Sequence, residues 1–231
     1  VGVDQVMISS GSAHGIGLVC ETLLDAGDIV LTESPNFPGS MRTIRSFGAE
    51  QIAIPMDELG LRVDALEEQL DRLAQAGKRA KFVYCIPTHQ NPAGCTLPPD
   101  RRQRSLFSLS NGDHAIKVSS FSKIIATGLR MGWIMGPSAL IGRVAALRYD
   151  MGSSVFLGRV IAEMIRNGDL DRHIERLRSI YARKLERVEG ALARYCASYA
   201  TYRQPQGGFF LWLQLRSGIG PKADLLALGI E

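Results

Sequence analysis

The sequence holds little cysteine, few aromatics and no long apolar run. Its four cysteines, Cys20, Cys85, Cys95 and Cys196, form no CxxC pair. They are too sparse for a disulfide scaffold and point to reduced thiols in a cytoplasmic compartment. No apolar stretch reaches the ~18 residues of a membrane-spanning helix, and nothing near Val1 reads as a signal peptide. Neither sign of charge dominates: 27 Lys and Arg against 23 Asp and Glu leave +4 over 231 residues. No basic run is interleaved with aromatics, so no nucleic-acid partner is expected for this segment. The histidines, His14, His89, His114 and His173, lack ligand spacing, which leaves no metal site. Repeats and low-complexity segments are absent. What remains is ordinary globular composition, 45% hydrophobic and 22% charged, with a pI near 9.0 and a mean hydropathy of +0.02. That length allows one large domain, or one and a fraction. Val1 already opens a strand-like segment and Ala223 to Leu228 stops without a cap, so a piece of a longer protein is expected.

Strand-like and helix-like segments alternate. Val3–Ser9 predicts a strand, Ser9-Ser10-Gly11-Ser12 a turn, and the stretch to Leu24 a helix with Gly27 as its C-cap. Strands follow at Asp28–Leu31, Glu50–Pro55, Lys81–Pro87, Ala115–Ser119 and Met131–Gly136, with a helix near Gly39–Phe47. Val63, Leu66, Leu70 and Leu73 recur at helical spacing, and Asp64 with Glu67 is placed like a capping box. This alternation predicts an α/β fold with a mostly parallel sheet, whose ligands sit beyond the carboxyl ends of its strands. After about residue 165 the pattern changes. Ile174, Leu177, Tyr181, Leu185, Val188 and Leu192 step by three or four, an amphipathic helix whose other face is charged and solvated. Phe209–Gln214 reads as a strand after Gly207-Gly208. Residues 1–165 are therefore expected to form one large domain and 166–231 part of a smaller C-terminal one.

Three motifs compete for the chemistry. Gly11-Ser12-Ala13-His14-Gly15-Ile16-Gly17 has the GxxxGxG spacing of the nucleotide turn in short-chain, nicotinamide-dependent reductases. Those enzymes also need a Tyr and a Lys four apart, and none of the six tyrosines is followed by Lys at that spacing. Ser120-Phe121-Ser122-Lys123 fits the SxxK of serine acyl-enzymes, but the SDN and KTG partners are missing. The third reading uses both segments at once. Ser119-Ser120-Phe121-Ser122-Lys123 runs on to Gly128-Leu129-Arg130-Met131-Gly132-Trp133. Gln90-Asn91-Pro92-Ala93-Gly94 precedes them, together with Ser10-Gly11-Ser12 and Pro35-Asn36-Phe37.

In this order the motifs closely resemble fold-type I pyridoxal-phosphate aminotransferases, over nearly the whole chain. The nearest likeness is to the 2-aminoadipate and kynurenine aminotransferases and to the aminotransferase-like domain of MocR-type regulators. The resemblance implies a three-layer large domain, pyridoxal 5'-phosphate as cofactor, and transamination between an amino acid and a 2-oxo acid by a cytoplasmic homodimer. Independently of it, Lys123 offers an amine for a Schiff base. Ser120, Ser122 and Arg130 suit a phosphate. The N–H groups of Ser12 and Ala13, opening a helix, add anion donors. By resemblance, Asn91 donates to the ring 3-hydroxyl oxygen and Phe37 stands where relatives stack a Tyr on the ring.

The chain also departs from the family. Asn91 and Lys123 lie 32 residues apart, where relatives fit a helix, a strand ending in an acidic residue, and a Tyr. A βα crossover alone takes at least ~10–12 residues. A deletion is expected near residues 107–110, removing a strand, the Asp that keeps the ring nitrogen protonated, and the Tyr beside the ring oxygen. Asp113 is the one carboxylate between Asp100 and Lys123. The segment that serves the partner subunit's site and the Arg that clamps the substrate carboxylate are not found in this sequence. A non-catalytic cofactor-binding domain, such as the effector domain of a regulator, is the alternative. A nicotinamide-dependent reductase is the third reading.

Overall fold

The computed structural model describes residues 1–98, 114–149 and 152–216. A short 3-10 turn at Val3–Gln5 leads into β1 (Val6–Ser9), then α1 (Ser12–Leu23), β2 (Ile29–Ser34), α2 (Pro38–Ser46), β3 (Glu50–Asp57) and β4 (Gly60–Leu61). Next come α3 (Val63–Gln75), β5 (Ala80–Tyr84), β6 (Lys117–Ser120), β7 (Gly132–Met135) and α4 (Ser138–Ala146). The order ends with α5 (Val155–Arg166), α6 (Asp169–Tyr195), β8 (Ala200–Tyr202) and β9 (Leu213–Leu215). The expected α/β alternation is present.

The strands form sheets ordered β1-β7-β6, β4-β3-β2-β5 and β8-β9. β2 pairs in parallel with β3 and β5. β7 runs antiparallel between β1 and β6, so those two point the same way. Among the described residues β5 pairs with β2 alone and β6 with β7 alone.

Helix α1 ties the two larger sheets together. Leu18 and Val19 pack on Ile134 of β7 and on Ile141 and Val144 of α4. Cys20, one residue further round, packs with Leu24, Val30 and Ile44, against Phe82 and Tyr84 of β5. On the opposite face Ile29 and Leu31 meet Ile54, Leu61 and Leu73 of α3. β2 is thus buried on both faces, with helices above and below, as parallel strands require. Each such fully buried aliphatic side chain contributes about 1.5–3 kcal/mol.

Several local expectations change. β2 continues to Ser34 because Thr32 and Glu33 are buried despite their polarity. α1 ends at Leu23 with Leu24 as C-cap. Gly27 instead serves the following turn at φ +90°, donating its N–H to the Gly48 carbonyl. No capping box forms on α3: its N-cap is Arg62, and the Asp64 carboxylate pairs with the Arg62 guanidinium. That pairing holds the Asp64 carboxyl down at about 2. The strand expected at Phe209–Gln214 is confined to Leu213–Leu215. The expected deletion near 107–110, Asp113 and the Ala223 to Leu228 run lie outside the described residues. No helix of the described residues is long and apolar enough to cross a membrane.

Candidate functional site

Strand register assembles the site. Ser9, Gly132 and Ser120 sit side by side across β1, β7 and β6. The turn Ser10-Gly11-Ser12 leaves that edge, the turn Phe121-Ser122-Lys123 leaves it beside, and Arg130-Met131 enters it between them. The approach is close. A Cβ on Gly132 would fall 2.6 Å from the Ser119 carbonyl oxygen and 2.9 Å from the Gly11 carbonyl carbon, so only glycine lets the three segments meet.

Gly11 is the N-cap of α1 at φ +85°. Behind it the N–H groups of Ser12 and Ala13 are the free donors of a helix start. The Arg130 guanidinium lies over Gly11: a Cβ there would be 3.1 Å from its Nη2. The same Nη2 donates to the Ser10 carbonyl at 3.4 Å. Arg130 itself adopts φ +49°, ψ +41°, capping the short 3-10 turn Thr127–Leu129. That left-handed backbone turns its side chain back across the mouth of α1.

Beside it, the Ser120 hydroxyl lies 2.8 Å from the Ser122 hydroxyl and accepts the Ser122 N–H at 3.1 Å. The Phe121 N–H donates to the Met131 carbonyl at 3.0 Å, and the Phe121 ring packs on Trp133 at 4.6 Å between centroids. These contacts fix the turn from which Lys123 projects. Lys123 is exposed, and its Nζ lies 5.8 Å from the centre of the Phe209 ring. Tyr181 meets that ring edge-on at 5.1 Å.

Asn91 and Phe37 lie on two other loops, those following β5 and β2. Phe37 is 42% exposed rather than part of the core, its ring folded against Gly39 at the start of α2. Between the loops stands a pair the sequence reading missed, Glu33 and Gln90, each about 1% exposed. Burial pushes the Glu33 carboxyl up, while the Ile86 N–H and the Gln90 amide pull it down. Burial also pushes the Cys85 thiol up to about 12 and the Tyr84 phenol up to about 12. The sequence carries only a partial trace of the pair: Glu33 is the lone carboxylate of β2, and Gln90 immediately precedes the Asn91-Pro92 turn.

This donor set suits a phosphorylated aldehyde at two of its ends. One helix start, one guanidinium and two hydroxyls lie along the same sheet edge, where they could hold a phosphate, and Lys123 follows Ser122 in the turn that leaves that edge. The stretch in which the ring-nitrogen carboxylate is expected to be deleted lies outside the described residues. No cluster of His, Cys, Asp and Glu among the described residues could hold a metal.

The strand order and the serine–lysine turn beside a helix start define an α/β fold with an anion-donor end at one sheet edge. The family model of aminotransferase class I and II matches residues 2–104 and 100–225, and the chain belongs to that family. It is 30% identical to aromatic-amino-acid aminotransferase 1 of Thermococcus litoralis, over 96% of this chain and 60% of that protein. It is 31% identical to the HTH-type transcriptional regulator YjiR of Escherichia coli, over 93% of this chain and 51% of that protein. The crystal structure of kynurenine aminotransferase from Pyrococcus horikoshii, in complex with PMP, superposes with a TM-score of 0.86 at 31% identity. That match covers 96% of this chain and 62% of the Pyrococcus chain. The chain thus spans about 60% of the aminotransferases it matches and about half of the regulator. Its alignment with the Thermococcus enzyme is 252 positions long, more than the 231 residues of the whole chain, so that relative carries residues with no counterpart here. The family match also breaks into two pieces, at residues 100–104. Pyridoxal phosphate, the cofactor expected from the sequence, is the family's own.

Proposed function

We propose that this chain is the cofactor-binding part of an aminotransferase. In this reading Lys123 carries pyridoxal phosphate, and an amino group passes between an amino acid and a 2-oxo acid. The convergence of Lys123, Ser120, Ser122, Arg130 and the start of α1 on one sheet edge carries the reading. Bound pyridoxal phosphate would supply an aldehyde that condenses with amines and a ring that accepts electrons from the substrate carbon. The chain's own residues do the rest. Arg130, the two serine hydroxyls and the N–H groups of Ser12 and Ala13 anchor the phosphate. Asn91 donates to the ring oxygen, and Phe37 offers an apolar face. Lys123 Nζ would hold the cofactor and, once displaced by substrate, would serve as the general base that takes the substrate Cα proton. The glycines at 11 to 17 are explained without a dinucleotide.

Residues 1–165 form the cofactor-binding part in this reading and 166–231 a partial small domain, with a homodimer as the working assembly. The likeness to HTH-type regulators favours a second reading, in which the site binds its ligands without turnover. The test mixes the chain with pyridoxal phosphate, reduces with borohydride and maps the labelled lysine. Label confined to Lys123 is expected; scattered or absent label overturns the reading. Adding amino acids then separates the two functions, since an aminotransferase discharges the cofactor's absorbance and a sensor domain leaves it unchanged.

A further inference from the structure

We infer that Glu33 and Gln90 form a buried clasp that sets the loop of Asn91 against the loop of Phe37, which makes Glu33 a positioning residue for the ring end of the site. The inference rests on the proposed function for what those two loops hold. The clasp itself rests on hydrogen bonds alone.

Glu33 is the next-to-last residue of β2. Its Oε1 accepts the Ile86 N–H at 2.8 Å, just past the end of β5, and the Gln90 Nε2 at 3.1 Å. Gln90 divides its amide between the two loops. Nε2 also donates to the Pro35 carbonyl at 2.8 Å, while Oε1 accepts the Ala93 N–H at 2.8 Å. Its backbone is fixed as well: the N–H donates to the Cys95 carbonyl at 2.8 Å, and the carbonyl accepts the Gly94 N–H at 2.6 Å. Asn91 and Pro92 therefore sit inside a turn closed on both sides by Gln90. Pro35, two residues before Phe37, is held by the same side chain.

The energetics favour a rigid arrangement. Both Glu33 bonds come from neutral N–H groups, and its neighbours Tyr84, Cys85 and Cys95 carry no positive charge. A buried carboxylate met only by such donors is costly unless every bond is kept, so partial opening is strongly penalised. Sheet and helix packing elsewhere does not need a carboxylate here. Val30 and Leu31 already fill both faces of β2.

The experiment compares the unaltered 231-residue chain with Glu33→Leu, Glu33→Gln and Gln90→Met, by hydrogen exchange without cofactor and by titration with pyridoxal phosphate. Glu33→Leu removes the shared acceptor. Amides in the 34–37 and 86–94 segments should exchange about tenfold faster, and cofactor affinity should fall about tenfold, while the start of α1 keeps its protection. Glu33→Gln retains a carbonyl oxygen that can accept both N–H groups, and should behave like the unaltered chain in both measurements. Gln90→Met, which leaves Glu33 with Ile86, should loosen the same two segments and gives the answer if Glu33→Leu does not fold. Combined with Asn91→Ala, it should weaken binding no further than Asn91→Ala alone. Unchanged exchange in the two loops, exchange that rises equally throughout the chain, or additive losses in the double variant would overturn the clasp. If the unaltered chain takes up no cofactor at Lys123, the functional reading fails, and the exchange data still decide whether the clasp exists.

Discussion

Helices α1 and α6 both carry an apolar stripe, yet they live in different surroundings. α1, 12 residues long, buries Gly15, Leu18, Val19, Cys20 and Thr22 between two sheets and two other helices. α6, 27 residues long, buries none, and Tyr181 and Val188 on its stripe are exposed. Periodicity reveals which face of a helix is apolar. Whether anything covers that face is a tertiary matter. The candidate site follows the difference: its anion-donor end is built where α1 begins, and α6 meets it through Tyr181, which packs on the Phe209 ring near Lys123.

The contrast can be broken or sharpened by measurement. Leu18→Ala, in the packed stripe, is expected to cost about 2–5 kcal/mol of stability in a denaturant titration. A loss below 1 kcal/mol would mean that α1 is not the keystone its packing indicates. Thiol labelling at pH 8 gives the next largest effect. Burial pushes the Cys20 thiol up to about 11, so in the folded chain it should react at least about a hundredfold more slowly than half-buried Cys196 beyond α6. Denaturant should erase that ratio. Arg130→Met removes the guanidinium at the start of α1 and should weaken pyridoxal phosphate binding about ten- to a hundredfold.

A smaller effect comes from Glu33. Its carboxyl is held above the ordinary 4.5 by burial, so the folded chain binds this proton more tightly than the unfolded one. Stability measured against Glu33→Gln should therefore rise as pH falls toward 4.5, and fall as pH climbs through the folded carboxyl's own range. The smallest effect belongs to α6: Val188→Ala should change stability by no more than about 0.5 kcal/mol. A larger loss would show that the stripe is covered in solution.

Much of this was legible in the residues. The serine–lysine turn, the Asn91-Pro92 turn and the glycine-led start of α1 are local patterns, and the structure brings the first and third to one edge. The alignment of Ser9, Gly132 and Ser120 was not legible, because register between strands more than a hundred residues apart leaves no local mark. The Glu33–Gln90 pair hid for a related reason. A carboxylate in a strand reads as solvent-facing until the partner that satisfies it, 57 residues away, is known. The capping box failed because the helix starts earlier: Arg62 is the N-cap, and Asp64 falls inside the first turn, where its carboxylate pairs with Arg62.

Arg130 shows what the geometry asks of one residue. Its backbone sits in the left-handed region, where glycine or asparagine rests at ease and a long side chain is held at a cost of about 1 kcal/mol or more. Glycine at this position would relax the chain and leave the mouth of α1 without its cation. The discomfort is local, and its return in the folded chain is the guanidinium held over Gly11 with a bond to the Ser10 carbonyl. In the proposed function, position 130 is a place where backbone ease and cofactor binding ask for different residues, and the residue present suits the binding.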